Sequence, residues 1–113
     1  MEIIEKILNN NIYTFVCETW KTSKAWGHKV TMLRNNTTYN NQKITYYNRT
    51  WESYRYRTCI TKCIEATIEK EFKFAIKTHK ENTNKKRLSQ TEKDEIKNNS
   101  CIIRELKELR ELV

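Results

Sequence analysis

Proline is absent from this chain and glycine occurs once in 113 residues. That scarcity removes whole classes of function. A loop that cradles phosphates needs glycines so that its backbone can approach the anion, so Walker, Rossmann and kinase-type phosphate loops are excluded. Long apolar runs are also missing. No segment approaches the roughly 20 consecutive apolar residues of a membrane span, and the start, MEIIEKILNN, lacks the apolar run of a signal peptide. The expectation is a protein of the cytosol, with no membrane partner, whose four cysteines are reduced thiols. Acidic residues are scarce in one region: Glu52 is the single acid between Thr19 and Ile64.

Aromatic and basic residues are plentiful. Three Trp, six Tyr and three Phe supply enough apolar mass for one compact core despite a charged fraction of 32%. The formal net charge is +8. Residues 1–64 hold 10 Lys/Arg against 4 Asp/Glu, and residues 65–113 hold 12 against 10, so the excess sits in the first part. One-signed enrichment points toward an acidic or polyanionic partner.

Local patterns predict an α+β fold. EIIEKILNNN puts Ile3, Ile4, Ile7 and Leu8 at helical spacing, with the asparagines as a stop. Three strands follow, at Ile12 to Trp20, His28 to Asn35 and Gln42 to Asn48, rich in β-branched and aromatic residues. From about Arg57 the period becomes 3.6: Cys59, Ile60, Cys63, Ile64, Ile68, Phe72 and Ile76 mark a long amphipathic helix to Lys80. ENTNKKR reads as a linker. Ser89-Gln90-Thr91-Glu92 has the form of a capping box and opens a last helix with an Ile/Leu stripe. The expected organisation is a helix, a three-stranded antiparallel meander and a long helix across one sheet face in residues 1–80. A linker at 81–88 and a C-terminal helix at 89–113 complete it. That last helix either packs on the domain or forms a homodimer.

The candidate site is the sheet face left bare. In KITYYNRTWESYRYRT, extended alternation groups Tyr47, Arg49, Trp51, Arg55 and Arg57 on one side. Such a set can stack bases and bind phosphates. Equally, Trp51 can be core with the arginines snorkelling past it. Trp20 and Trp26 with their neighbours Lys21, Lys24 and Lys29 form a second basic-aromatic cluster; Trp26, in a loop, is either a binding anchor or a lid folded back on the sheet edge. Arg34 and Lys43 extend the basic field along the strands.

Two chemistries are set aside. Cys59 and Cys63 share a helix face, and Cys17, Cys101, His28 or His79 could complete a zinc site, but no close C-x-x-C pair exists. Catalysis lacks a nucleophile with a base and an orienting partner, or clustered carboxylates for a metal. The expectation is a non-enzyme with no metal and no cofactor.

The order helix, three strands, two helices, beginning MEIIEKILNNNIYTF, resembles small phage-encoded anti-CRISPR inhibitors of Cas9. The resemblance covers the whole chain as an order of elements, without a shared motif. It implies a mobile-element protein that binds a host ribonucleoprotein nuclease and blocks it. Acidic inhibitors can mimic DNA; a basic sheet would instead hold guide RNA, compete for target DNA or dock on an acidic protein patch. The first five elements also resemble a double-stranded RNA-binding domain, but RTCITKCIEA lacks that family's K-K-x-A-K. The alternative is a DNA- or RNA-binding regulatory module.

Overall fold

A computed structural model describes residues 1–46 and 56–113. Four strands come first: β1 (Glu2–Leu8), β2 (Asn11–Lys21), β3 (Trp26–Arg34) and β4 (Thr37–Tyr46). Three helices follow: α1 (Tyr56–Thr83), α2 (Gln90–Asn99) and α3 (Cys101–Leu112). The sheet is an antiparallel meander in the order β1-β2-β3-β4. The α+β class stands, with four strands rather than three.

The expected first helix is strand β1. Its Ile pattern fits a helical period, but Asn9 and Asn10 take φ of 51° and 66°. Two successive left-handed residues make the two-residue hairpin turn whose twist matches paired strands, and Asn tolerates that conformation. Asn35 and Asn36 repeat the turn with φ of 51° and 66° between β3 and β4. With so tight a turn β4 begins at Thr37, earlier than the Gln42 start predicted for the third strand. A bulge interrupts the β3–β4 pairing where Met32 meets Asn40 and Leu33 meets Thr38.

Helix α1 extends past the predicted Lys80. Asn84 has φ 53° and the Lys85 N–H donates to the Lys80 carbonyl at 3.2 Å. This left-handed cap satisfies a carbonyl the last turn leaves open. The capping box of α2 forms as its sequence predicts: Ser89 Oγ accepts from the Glu92 N–H and the Glu92 carboxylate accepts from the Ser89 N–H. The expected single last helix is two, because extended Ser100 interrupts it and caps α3 by accepting from the Ile103 N–H at 3.3 Å.

The core lies on one side of the sheet. Tyr13, Phe15, Cys17, Val30 and Met32 from the strands meet Cys59, Ile60, Cys63 and Ile64 of α1 and Ile103, Leu106 and Leu109 of α3. Helix α1 follows β4: Cys59 lies by the Gln42 carbonyl, Thr67 by Asn40 and Glu71 by Tyr39. The apolar stripe of α3 is thus buried within the single chain. Within the core, Thr67 Oγ1 donates to the Cys63 carbonyl at 2.7 Å and accepts from Asn40 Nδ2 at 3.0 Å, so this buried hydroxyl is satisfied.

Candidate interaction surface

Strand register decides which side chains share each face. Paired residues point the same way and neighbours alternate. The pairs Phe15–Met32 and Cys17–Val30 lie under the helices. The pairs Val16–Thr31, Glu18–Lys29 and Trp20–Gly27 therefore lie on the opposite face. Register extends that face to Ile3 and Glu5 on β1 and to Asn41, Lys43 and Thr45 on β4.

Trp20 anchors one end of this face. The Lys43 ammonium sits 4.3 Å from its ring centroid, a cation–π contact. The ring also lies against Gly27, where a β-carbon would stand 2.8 Å from Trp20 and 1.9 Å from the Ile44 carbonyl. The chain's one glycine is therefore the seat of the indole. Among the described residues, Trp20 Nε1 has no hydrogen-bond acceptor, so packing and the cation hold the ring. Lys29 pairs in register with Lys43 on one side and Glu18 on the other. Like charges on facing strands cost stability, and Glu18 and the Trp20 ring offset that cost.

The predicted site residues divide. Lys29 and Lys43 belong to the uncovered face. Lys21 ends β2, and Lys24 is in the following turn, which Thr22 organises by accepting from the Lys24 and Ala25 N–H groups; both lysines are exposed. Trp26 is not an exposed loop anchor. It begins β3, is 9% exposed, and stacks on Tyr46 at 4.6 Å with its ring 5.5 Å from His28. Tyr56 continues this cluster, 4.5 Å from His28 and hydrogen-bonded to Thr19 at 2.6 Å. Register puts Trp26 on the face opposite Trp20, so the two tryptophans do not share a surface.

Arg34 faces inward. Its Nε donates to the Tyr13 hydroxyl at 3.1 Å, and its guanidinium is 3.9 Å from Glu105. Arg57 is an exposed residue in the first turn of α1, so extended alternation does not join it to the strand set. Arg49, Trp51 and Arg55 lie outside the described residues. The proposed basic face is therefore more mixed than its sequence implies: among the described residues, Lys29 and Lys43 share it with Glu5 and Glu18.

A buried carboxylate escaped the sequence reading. Glu105 of α3 accepts from the Tyr13 hydroxyl and from Asn11 Nδ2 at 2.8 Å. The signal was positional: of the acids in the last helix, Glu105 borders the Ile/Leu stripe, three residues after Ile102 and four before Leu109. Burial and the Glu105 carboxylate push the Tyr13 phenol up to about 12. An open recess of about 670 Å³ borders this network, with Tyr39, Glu71 and Cys101 in its wall. Tyr39 already donates to Glu71 at 2.7 Å, so much of the polar wall is committed internally.

The cysteines divide too. Burial pushes the Cys17 and Cys59 thiols up to about 11 and the Cys63 thiol up to about 12. These are protonated core side chains. Among the described residues, no three His, Cys, Asp or Glu side chains group to hold a metal ion. No helix among them is long and apolar enough to cross a membrane. No family model, curated protein or solved structure matches this chain.

Proposed function

We propose that this chain is a non-enzymatic binding protein that docks the uncovered face of its sheet on a protein partner. In its specific form, the partner is a host nucleic-acid-targeting nuclease, which the docking inhibits. The observation that supports docking is the composition of that face. Among the described residues, Ile3, Val16, Leu33 and Trp20 stand on it with no helix above, while two lysines are matched by two glutamates. A phosphate-binding track needs an excess of cations; an apolar field with balanced charge suits a protein. The inhibitory part draws on the small chain and its net charge of +8, which suits the acidic surroundings of a nucleoprotein complex. The element order adds nothing to it, since β1 stands where the resemblance has a helix.

A direct nucleic-acid-binding reading has a separate observation in its favour. A recess of about 770 Å³ on the helical side is bordered by Lys62 of α1, Lys97 of α2, and Lys107 and Arg110 of α3. Glu65 and Glu69 offset only part of that charge.

One experiment separates the readings. The purified chain is titrated into guide-loaded RNA-guided nucleases, and separately into free duplex and single-stranded nucleic acid across a salt series. Docking predicts inhibition of cleavage that Trp20→Ala with Lys43→Ala abolishes, and little binding to free nucleic acid. Binding to free nucleic acid that weakens steeply with salt, is lost in Lys107→Ala with Arg110→Ala, and comes without nuclease inhibition would replace the first reading with the second.

A further inference from the structure

Among the described residues, five large hydrophobics are strongly exposed: Met1, Ile3, Ile7, Phe74 and Leu112. Three belong to the start of the chain, with Ile3 62% and Ile7 65% exposed on β1. The other two, Phe74 and Leu112, are on helices α1 and α3. Three of the five thus gather at one element, and that element is an edge of the described sheet. An edge strand offers a row of backbone donors and acceptors to another strand. The opposite edge, β4, is different: Thr37, Thr38, Asn40, Asn41, Gln42 and Lys43 make it polar.

We propose that two copies of this chain join edge to edge through β1, antiparallel, in the register that sets Ile4 against Ile4 of the second copy. The occupant follows from the order of charges in EIIEKIL. Antiparallel self-pairing with a two-fold axis can centre on any residue of the strand, and side-chain alternation is kept in each case. Centring on Glu2 or Glu5 sets two carboxylates face to face. Centring on Lys6 sets two ammonium groups face to face. Centring on Ile3, Ile7 or Leu8 leaves every charged side chain without an oppositely charged one. Centring on Ile4 places Glu2 against Lys6 of the second copy, twice, and brings no like charges together. Opposite charges on facing strands stabilise and like charges destabilise, so the strand's own sequence selects this one register.

The seam continues the existing architecture. Even-numbered residues of β1 point to the helix side, where Ile4 and Leu8 already pack against the core; the Ile4 pair extends that layer. Odd-numbered residues point to the uncovered face, where Ile7 meets Met1 of the second copy. The two four-stranded sheets become one of eight strands. Because the pairing is isologous it uses both copies' β1 edges and closes, leaving, among the described strands, only the polar β4 edges outside. The dimer goes beyond the docking function and does not depend on it; it would set two uncovered faces side by side.

Sedimentation velocity of the full chain, over about 1 to about 100 µM, tests the proposal. The expected result is a concentration-dependent species of twice the 13.7 kDa chain mass. Lys6→Glu turns both Glu2–Lys6 pairs into carboxylate pairs and weakens the dimer by about tenfold, and Glu2→Lys does the same with ammonium pairs. The double variant Glu2→Lys with Lys6→Glu restores opposite charges and recovers the dimer. Circular dichroism confirms that each variant is folded. Should Lys6→Glu, at a half-buried position, disturb the fold, exposed Glu2→Lys carries the comparison. A chain that stays monomeric throughout, a dimer indifferent to both single swaps, or an assembly that grows beyond two copies would each overturn the proposal.

Discussion

Phe15 and Val16 are adjacent on β2 and belong to different environments. Phe15 is wholly enclosed by the helices and its sheet neighbours, while Val16 is half-buried on the face that none of the described helices covers. The same contrast runs along the strand: Tyr13 and Cys17 are sealed, and Ile12 and Trp20 are partly open. A sheet finished as a monomer carries polar residues on its solvent side. This one carries Ile3, Ile7, Ile12, Val16, Leu33 and Trp20 there. The lesson is that the covered face supplies the fold, and the uncovered face holds apolar area the monomer does not use. The largest effect sharpens that division. Phe15→Ala should cost about 3–5 kcal/mol, because it leaves a cavity in a close-packed core. Val16→Ala should cost less than about 1 kcal/mol in the free chain. Urea denaturation of both variants measures the gap; equal costs would mean that the two faces are not distinct.

Alkali should act on the covered face in particular. Cys17, Cys59 and Cys63 titrate ordinarily near 9.0 and Tyr13 near 10.0, and burial pushes them to about 11 to 12. The neutral, protonated forms are favoured in the fold. The unfolded chain loses these protons first as pH rises, so it binds fewer protons than the native state and stability falls. The contribution is fully present below about 9 and is lost through the window from about 9 to about 12. Denaturation midpoints should therefore be level with respect to these groups at about pH 8 and decline above 9, and Cys17→Ala should remove part of the decline. Midpoints indifferent to alkali would show the thiols hydrated and the covered face wet.

Legibility followed the physics of each segment. Helix α1 was plain because Cys59, Ile60, Cys63, Ile64 and Ile68 repeat at 3.6 residues and bury one stripe. The box at Ser89 to Glu92 was plain because capping is local chemistry. Strand β1 was misread because Ile3, Ile4, Ile7 and Leu8 satisfy a helical period, and only the Asn9–Asn10 turn and pairing with β2 decide otherwise. Within the candidate site, Lys29 and Lys43 were found through charge alone. Trp26 was misplaced because alternation starts from a strand boundary, and β3 begins at Trp26 rather than His28. Trp20 was grouped with Trp26 in one cluster, although the two rings are on opposite faces; its seat on Gly27 of the next strand is a contact that sequence spacing does not express.

The smallest effect probes the uncovered face itself. Lys43→Ala removes the cation from the Trp20 ring, which costs about 0.5–1 kcal/mol at an exposed site, but it also relieves repulsion with Lys29. The two changes oppose each other, so the net loss of stability should be under about 0.5 kcal/mol. A single variant therefore cannot read the contact; a double-mutant cycle can. Trp20→Leu, Lys43→Ala and the pair together should give a coupling of about 0.5–1 kcal/mol in urea denaturation. Repeating the cycle with Lys29→Ala in the background isolates the ring contact from the lysine pair. A coupling of zero would mean that the ammonium is not held over the indole. The uncovered face would then be apolar area with loose charges around it, and Trp20 alone would have to carry the docking.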